Sequence, residues 1–129
     1  MILLDTHALV WAVADPKRLS PPALAAIRKA RKKDGLAISA ITLWELAALL
    51  AKGRIQAYGT LEASLDLLTE GVTVKPITAE TASLAAQFPK DYPRDPADRL
   101  IGATARAEGL PLVTRDELIR QSKLLQTIW

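Results

Sequence analysis

The chain has 129 residues, of which 50% are hydrophobic and 24% charged, a composition that fits one globular domain with a substantial core. It contains no cysteine and a single histidine, which excludes a disulfide framework, a thiolate nucleophile, a zinc site of cysteine and histidine, and a nuclease with two catalytic histidines. The net charge is +3, and basic residues concentrate between Pro16 and Asp34. We interpret that run as a solvated helix face, with a phosphate-attracting surface as the alternative.

No apolar stretch approaches the ~20 residues that a membrane span needs. Asp5 interrupts the N-terminal apolar run, which therefore lacks the layout of a signal peptide. The sequence accordingly predicts a cytoplasmic protein with no membrane partner.

Short apolar segments alternate with helical patterns along the chain. In chain order we predict a strand at 2–4, helices at 6–15 and 20–34, a strand at 36–39, helices at 40–53 and 60–71, a strand at 72–77, helices at 78–88 and 95–109, a strand at 110–114, a helix at 115–122 and a final strand at 124–129. This alternation predicts a single α/β domain over residues 1–129, with a central, mostly parallel sheet flanked by helices.

Three acidic residues stand where helices are predicted to begin. Asp5 follows the first strand, and as an isolated residue it would be read as a helix N-cap. Asp95 is predicted to cap the helix that starts at Pro96, which puts Asp98 in the first turn of that helix. Capping alone would explain each of these positions.

Asp116 follows the predicted strand at 110–114. Thr114 and Glu117 form the pattern T-R-D-E, which predicts a capping box and leaves Asp116 as a surplus acid in the first turn.

Glu45 lies in the segment AITLWELAALLA, a helix that is apolar on nearly all sides and is therefore predicted to be buried. No lysine or arginine lies three or four residues away to pair with it. A buried carboxylate needs a partner, which is either a cation from elsewhere in the fold, such as Arg99 or Arg115, or a functional ligand.

Taken together, the acids predict a metal site. Ligands of parallel α/β sheets bind outside the carboxyl ends of the strands, where Asp5 and Asp116 would meet if their strands are neighbours. Asp98 and Glu45 are within plausible reach of the same edge. A carboxylate cluster without histidine or cysteine favours Mg²⁺ or Mn²⁺, and such clusters support phosphodiester cleavage.

The segments LLDTHALVWAVADPKRLS, ISAITLWELA and DPADRLIGATARAEGLPLVTRD resemble PIN-domain nucleases, specifically VapC-type toxins of toxin–antitoxin pairs. The resemblance spans nearly the whole chain and includes all four acids in the expected order. It implies a PIN-like domain with Mg²⁺- or Mn²⁺-dependent endoribonuclease activity on RNA, a cognate antitoxin as partner, and a homodimer.

The resemblance also implies roles for individual residues. Asp5, Glu45, Asp98 and Asp116 correspond to the catalytic acids. Asp5 and Asp98 are expected to bind the metal directly, while Glu45 and Asp116 would orient water or hold a second ion.

Two alternatives without catalysis are compatible with a cluster of acids at strand ends. A phospho-accepting receiver domain also binds Mg²⁺ at strand ends, but it needs an early acidic pair and a lysine after its last core strand. Here Asp5 stands alone and Arg115 follows the strand. The second alternative is a degenerate PIN fold that only binds. His7, Trp11 and Trp44 are interpreted as structural residues, the two tryptophans as core or dimer contacts.

Overall fold

The computed structural model describes all 129 residues and contains one five-stranded sheet in which every neighbouring pair is parallel. The strand order is β3-β2-β1-β4-β5. The strands are β1 (Ile2–Leu4), β2 (Leu36–Ser39), β3 (Val72–Lys75), β4 (Leu112–Val113) and β5 (Thr127–Ile128). The predicted α/β class and parallel sheet are confirmed.

Seven α-helices connect and cover these strands. They are α1 (Thr6–Ala14), α2 (Pro21–Lys32), α3 (Ala40–Ala51), α4 (Leu61–Leu68), α5 (Ala79–Gln87), α6 (Pro96–Glu108) and α7 (Glu117–Gln121). A short 3-10 helix at Pro16–Arg18, which the sequence patterns did not predict, links α1 to α2. None of the helices combines the length and the apolar character needed to cross a bilayer.

The sheet separates two apolar cores, one on each face, and successive side chains of its strands point alternately into one core and the other. Leu4 and Val113 belong to the core that lies under α1 to α4. Their strand neighbours Leu3 and Leu112 point the other way, into the core formed with α5 to α7. Both faces are therefore covered, as expected for a parallel sheet whose strands are apolar throughout.

The sheet changes its direction of growth at β1. The chain first adds β2 and β3 on one side, and then crosses to add β4 and β5 on the other. Leu4 pairs with Val113, and the backbone N–H of Asp5 donates to the carbonyl oxygen of Val113 over 3.0 Å. The strands that precede Asp5 and Asp116 are thus neighbours, which is the condition on which the predicted metal site depended, and the acids follow them at a topological switch point.

The expectation that α3 is buried on all sides is wrong. Only Thr42, Leu46 and Leu50 of this helix are buried, and Trp44 is 69% exposed. The reason is that α3 packs against α1, α4 and α6 along one side, while nothing in the chain covers its other side. Trp44 is therefore not a core residue.

The loop before α6 is fastened to that helix by two side chains. Tyr92 is 1% exposed, and its hydroxyl donates to the carbonyl oxygen of Asp98 over 3.1 Å. Gly102 makes room for it, because a Cβ there would lie 2.1 Å from the Tyr92 hydroxyl oxygen. Arg99 donates to the carbonyl oxygens of Phe88, over 2.8 Å, and Pro89, over 3.1 Å. These contacts fix where the first turn of α6 stands.

Candidate active site

An open pocket of about 570 Å³ lies at the edge of the sheet where β1 and β4 end. Its lining is mainly polar and charged, with five carboxylates. The lining residues are Asp5, His7, Ala8, Trp11, Arg18, Glu45, Asp95, Asp98, Arg115 and Asp116. All four acids that the sequence analysis selected are among them.

Asp5 is held from two sides. Its Oδ1 accepts from the backbone N–H of Thr6 over 2.7 Å, so Asp5 is also the N-cap of α1. Its Oδ2 accepts from the hydroxyl of Thr114 over 2.8 Å. Thr114 is fully buried at the end of β4, so the bond ties the carboxylate to the neighbouring strand.

Asp116, and not Thr114, caps α7, so the predicted capping box is wrong. Oδ1 of Asp116 accepts from the backbone N–H of Ile119 over 3.0 Å. The Thr114 hydroxyl is directed to Asp5 and accepts from the backbone N–H of Asp116 over 3.1 Å. One buried hydroxyl thereby links two of the acids.

Glu45 is half-buried and is oriented by threonines rather than by a cation. The hydroxyl of Thr6 donates to Oε1 of Glu45 over 2.5 Å. Since a hydroxyl carries one hydrogen, Thr6 must accept in its 3.1 Å contact with the hydroxyl of Thr42. This chain of hydroxyls joins the start of α1 to α3.

Neither of the two arginines considered as partners of Glu45 forms an ion pair with it. Arg99 donates to backbone carbonyls of the loop before α6, and the guanidinium of Arg115 lies 5.9 Å from the centroid of the Trp11 ring. The two ion pairs of the chain, Met1 with Asp34 and Lys75 with Glu108, lie outside the pocket. The acids of the pocket are therefore not neutralised by ion pairs.

The first turn of α6 brings two more acids to the pocket. Asp95 caps this helix, as predicted, and its Oδ1 accepts from the backbone N–H groups of Ala97 and Asp98 over 2.8 and 3.3 Å. Asp98 is half-buried and lines the pocket with the other predicted acids. Asp95 also lines the pocket, so the lining contains a fifth acid beside the predicted four.

Burial and neighbouring charges raise the pKa values of three of the acids. Burial, followed by the charges of Asp5, Asp95, Asp116 and Glu45, raises the pKa of Asp98 to about 7. Burial also raises the pKa of Asp5 and of Glu45, while hydrogen bonds from threonines partly oppose the shift. The pocket thus holds negative charge at a cost, which a bound cation would relieve.

The donor set suits a hard cation. The acidic lining supplies only carboxylate oxygens, which Mg²⁺ and Mn²⁺ prefer. No three histidine, aspartate or glutamate side chains are gathered into a preformed metal cluster, so the acids line the pocket wall without closing on one point. By donor chemistry, the residues fit such an ion.

Other residues in or beside the pocket were given no role in the site by the sequence analysis. Thr42 hydrogen-bonds to Thr6 from a separate helix, which no local pattern reveals. His7 is exposed at the rim of the pocket, with its ring centroid 5.9 Å from that of Trp11. Trp11 is a core residue, as predicted, but it also lines the pocket, together with Arg18 and Arg115.

Replacing Asp98 by Asn should stabilise the metal-free protein. Because the pKa of Asp98 is raised from 3.8 to about 7, ionising it weakens folding as the pH rises between those values. In EDTA at pH 8, Asp98→Asn should therefore raise the Tm by roughly 2–5 °C, measured by calorimetry. The gain should vanish near pH 4. Asp66→Asn, at an exposed position of α4, is the control, and a Tm gain no larger than the control's would contradict the raised pKa of Asp98.

Comparison with known proteins agrees with the fold. The family model described as "PIN domain" matches residues 2–123. Ribonuclease VapC22 of Mycobacterium tuberculosis is 42% identical over 130 residues, covering 99% of this chain and 98% of that protein.

Solved structures share the fold. VapBC2 from Rickettsia felis, bound to a DNA fragment from its promoter, aligns with a TM-score of 0.76 at 22% identity, over 98% of this chain and 97% of that chain. A toxin–antitoxin complex from Klebsiella pneumoniae aligns with a TM-score of 0.68 at 21% identity, over 97% and 95%. The chain belongs to the PIN-domain family, within which it is a homologue of the VapC ribonucleases of toxin–antitoxin systems.

Proposed function

We propose that the chain is a Mg²⁺- or Mn²⁺-dependent endoribonuclease, the toxin of a toxin–antitoxin pair. The observation that supports this most directly is the convergence of Asp5, Glu45, Asp98 and Asp116, from four separate segments, on one pocket at the switch point of the sheet. A receiver domain is not compatible with the PIN family match, and a degenerate, non-catalytic PIN fold is left as the alternative that experiment must exclude.

In this proposal Asp5 and Asp98 hold the metal ion, and Glu45 and Asp116 orient water or hold a second ion. The bound ion would supply charge neutralisation at the scissile phosphate and activation of water for hydrolysis. The chain's own part is to keep the carboxylates directed into the pocket, by hydrogen bonds from Thr114 to Asp5 and from Thr6 to Glu45. Thr6 is accordingly a positioning residue and not a catalytic one.

We propose an antitoxin as the partner, docked in an apolar groove (Val13, Tyr58, Leu67 and Leu68) between α1 and α4. Two adjoining cavities share Val13, Leu67 and Leu68, and Val13 and Leu67 are 46% and 56% exposed. Arg28 and Arg31 of α2 and one acid, Glu70, line one end of the groove, and this excess of positive charge favours a partner segment with apolar and acidic residues.

We also propose that the toxin is a homodimer that works in the cytoplasm. Support for the dimer comes from Trp44, whose large apolar side chain is 69% exposed on the uncovered side of α3. Tryptophan is among the residues that contribute most at protein interfaces. A cytoplasmic location agrees with an RNA substrate, and recovery of the native protein in a secreted fraction would contradict it.

Asp5→Asn should abolish RNA cleavage. Loss of a group that only orients a metal ligand costs about 10- to 100-fold, so loss of a ligand should lower kcat/KM by more than about 100-fold. The measurement is cleavage of single-stranded and structured RNA in Mg²⁺ or Mn²⁺, with EDTA abolishing activity. Asp15→Asn, an exposed acid at the end of α1, is the matched control. Equal cleavage by Asp5→Asn would refute the site, and an inactive wild-type chain would favour the binding module.

Thr6→Val tests the positioning of Glu45. The variant keeps the shape of a side chain that is 2% exposed but removes its hydrogen bond to Glu45. We expect Mn²⁺ affinity or kcat to fall by about 10- to 100-fold, measured by titration calorimetry and RNA cleavage. The control is Thr104→Val, because Thr104 is equally buried but donates to the carbonyl oxygen of Leu100 within α6. Equal metal affinity and equal kcat for the two variants would refute the orienting role of Thr6.

One light-scattering experiment tests the dimer and the antitoxin groove. The chain alone should have the mass of two subunits, and addition of the antitoxin encoded by a neighbouring reading frame should increase that mass and suppress cleavage. Leu67→Asp should keep the dimer and the cleavage but weaken antitoxin binding by about 30-fold or more. Leu118→Asp, equally exposed on α7, should leave binding intact. A monomeric chain, or unchanged antitoxin binding by Leu67→Asp, would contradict the respective proposal.

A further inference from the structure

Two arginine side chains lie against the ring of Trp11 in the acidic pocket. The guanidinium carbon of Arg18, at the end of the 3-10 helix, lies 4.7 Å from the centroid of the Trp11 ring. That of Arg115, which follows β4, lies 5.9 Å from the same ring. Trp11 itself is 9% exposed and packs against Trp129, so the two arginines share a fixed aromatic support.

Both guanidinium groups retain their hydrogen-bonding capacity. The ion pairs of the chain involve other residues, and the guanidinium groups that donate hydrogen bonds belong to Arg99 and Arg106. A guanidinium that lies over an aromatic ring uses its face for that contact, and its N–H groups remain available at the edge of its plane. Arg18 and Arg115 are exposed and line the same pocket as five carboxylates, yet they pair with none of them.

This arrangement answers an electrostatic problem of the proposed reaction. The five carboxylates of the pocket outnumber its two arginines, so the pocket as a whole repels a polyanion. An RNA strand can enter only if the cations lie where the strand approaches. Guanidinium groups bind phosphate through paired N–H donors, which makes arginine well suited to that task. Contact with Trp11 favours positions of the two arginines in which they do not form ion pairs with the acids and so do not neutralise the metal ligands.

We propose that Arg18 and Arg115, supported by Trp11, form a clamp that binds backbone phosphates of the RNA strand next to the scissile bond. The inference rests on the proposed ribonuclease function and adds substrate-binding residues that lie outside the acid quartet. The clamp recognises phosphate and not bases, so it sets the path of the strand and leaves sequence preference to other contacts.

The test measures RNA binding in EDTA, where cleavage plays no part. Fluorescence anisotropy with a labelled single-stranded RNA should show that Arg18→Ala and Arg115→Ala each bind about tenfold more weakly. The dependence of log affinity on log salt should become shallower by about 0.7 for each arginine removed. Arg18→Lys should restore the salt slope but only part of the affinity, because ammonium keeps the charge without the planar donor pair. Arg54→Ala, at an exposed arginine outside the pocket, is the matched control.

Kinetics in Mg²⁺ separate the clamp from the acids. Arg18→Ala and Arg115→Ala should mainly raise KM, whereas Asp5→Asn should mainly lower kcat. RNA affinity and salt slopes equal to those of Arg54→Ala would overturn the clamp and leave the nuclease proposal standing. Arginine variants that bind RNA normally but lose inhibition by the antitoxin would also overturn it, since the pair would then serve the partner. Full cleavage by Asp5→Asn would instead refute the nuclease site, whatever the anisotropy shows.

Discussion

The mutual repulsion of five carboxylates at one end of the sheet is the constraint that the surrounding structure has to meet. Burial and neighbouring charges raise the pKa of Asp98 to about 7, so the ionised form of Asp98 opposes folding. Buried threonines counter this by donating to the ionised forms, Thr114 to Asp5 and Thr6 to Glu45. Each hydroxyl also has a second contact, which fixes its own orientation. The threonines thus lower the free-energy cost of the ionised carboxylates and hold these side chains in defined directions.

Helix N-termini provide the other compensation. Asp5, Asp95 and Asp116 are the N-caps of α1, α6 and α7, and each accepts backbone N–H groups that would otherwise be unsatisfied. The parallel topology directs the chain into these helices at the same edge of the sheet, so three positive helix ends surround the negative pocket. Capping and ligand binding are therefore not competing explanations of these residues, because one carboxylate oxygen can cap a helix while the other remains directed to the pocket or a neighbour.

The sequence was most informative where the physics is local. The apolar segments, the Asp95 cap and the acids at strand ends could be read directly from the sequence, whereas the pairing of β1 with β4 is seen only in the structure. Which side chains of distant segments contact one another could not be predicted. The bond between Thr6 and Glu45 joins residues 39 positions apart, and the exposure of Trp44 depends on which helices cover α3. The T-R-D-E pattern misled because it is locally satisfactory, whereas the real position of the Thr114 hydroxyl is decided by Asp5 on another strand.

Charge balance in the pocket explains why its cations stand apart from its anions. Ion pairs between Arg18 or Arg115 and the carboxylates would lower the pKa values of the acids and stabilise the fold, but they would also occupy the oxygens that a metal needs. Trp11 provides a different contact, because the guanidinium carbons of Arg18 and Arg115 lie 4.7 and 5.9 Å from the centroid of its ring. The site thereby gives up stability that direct pairing would supply, a trade common where function needs unneutralised charge. A tryptophan that packs in the core on one side can therefore also support the guanidinium groups of the pocket on the other.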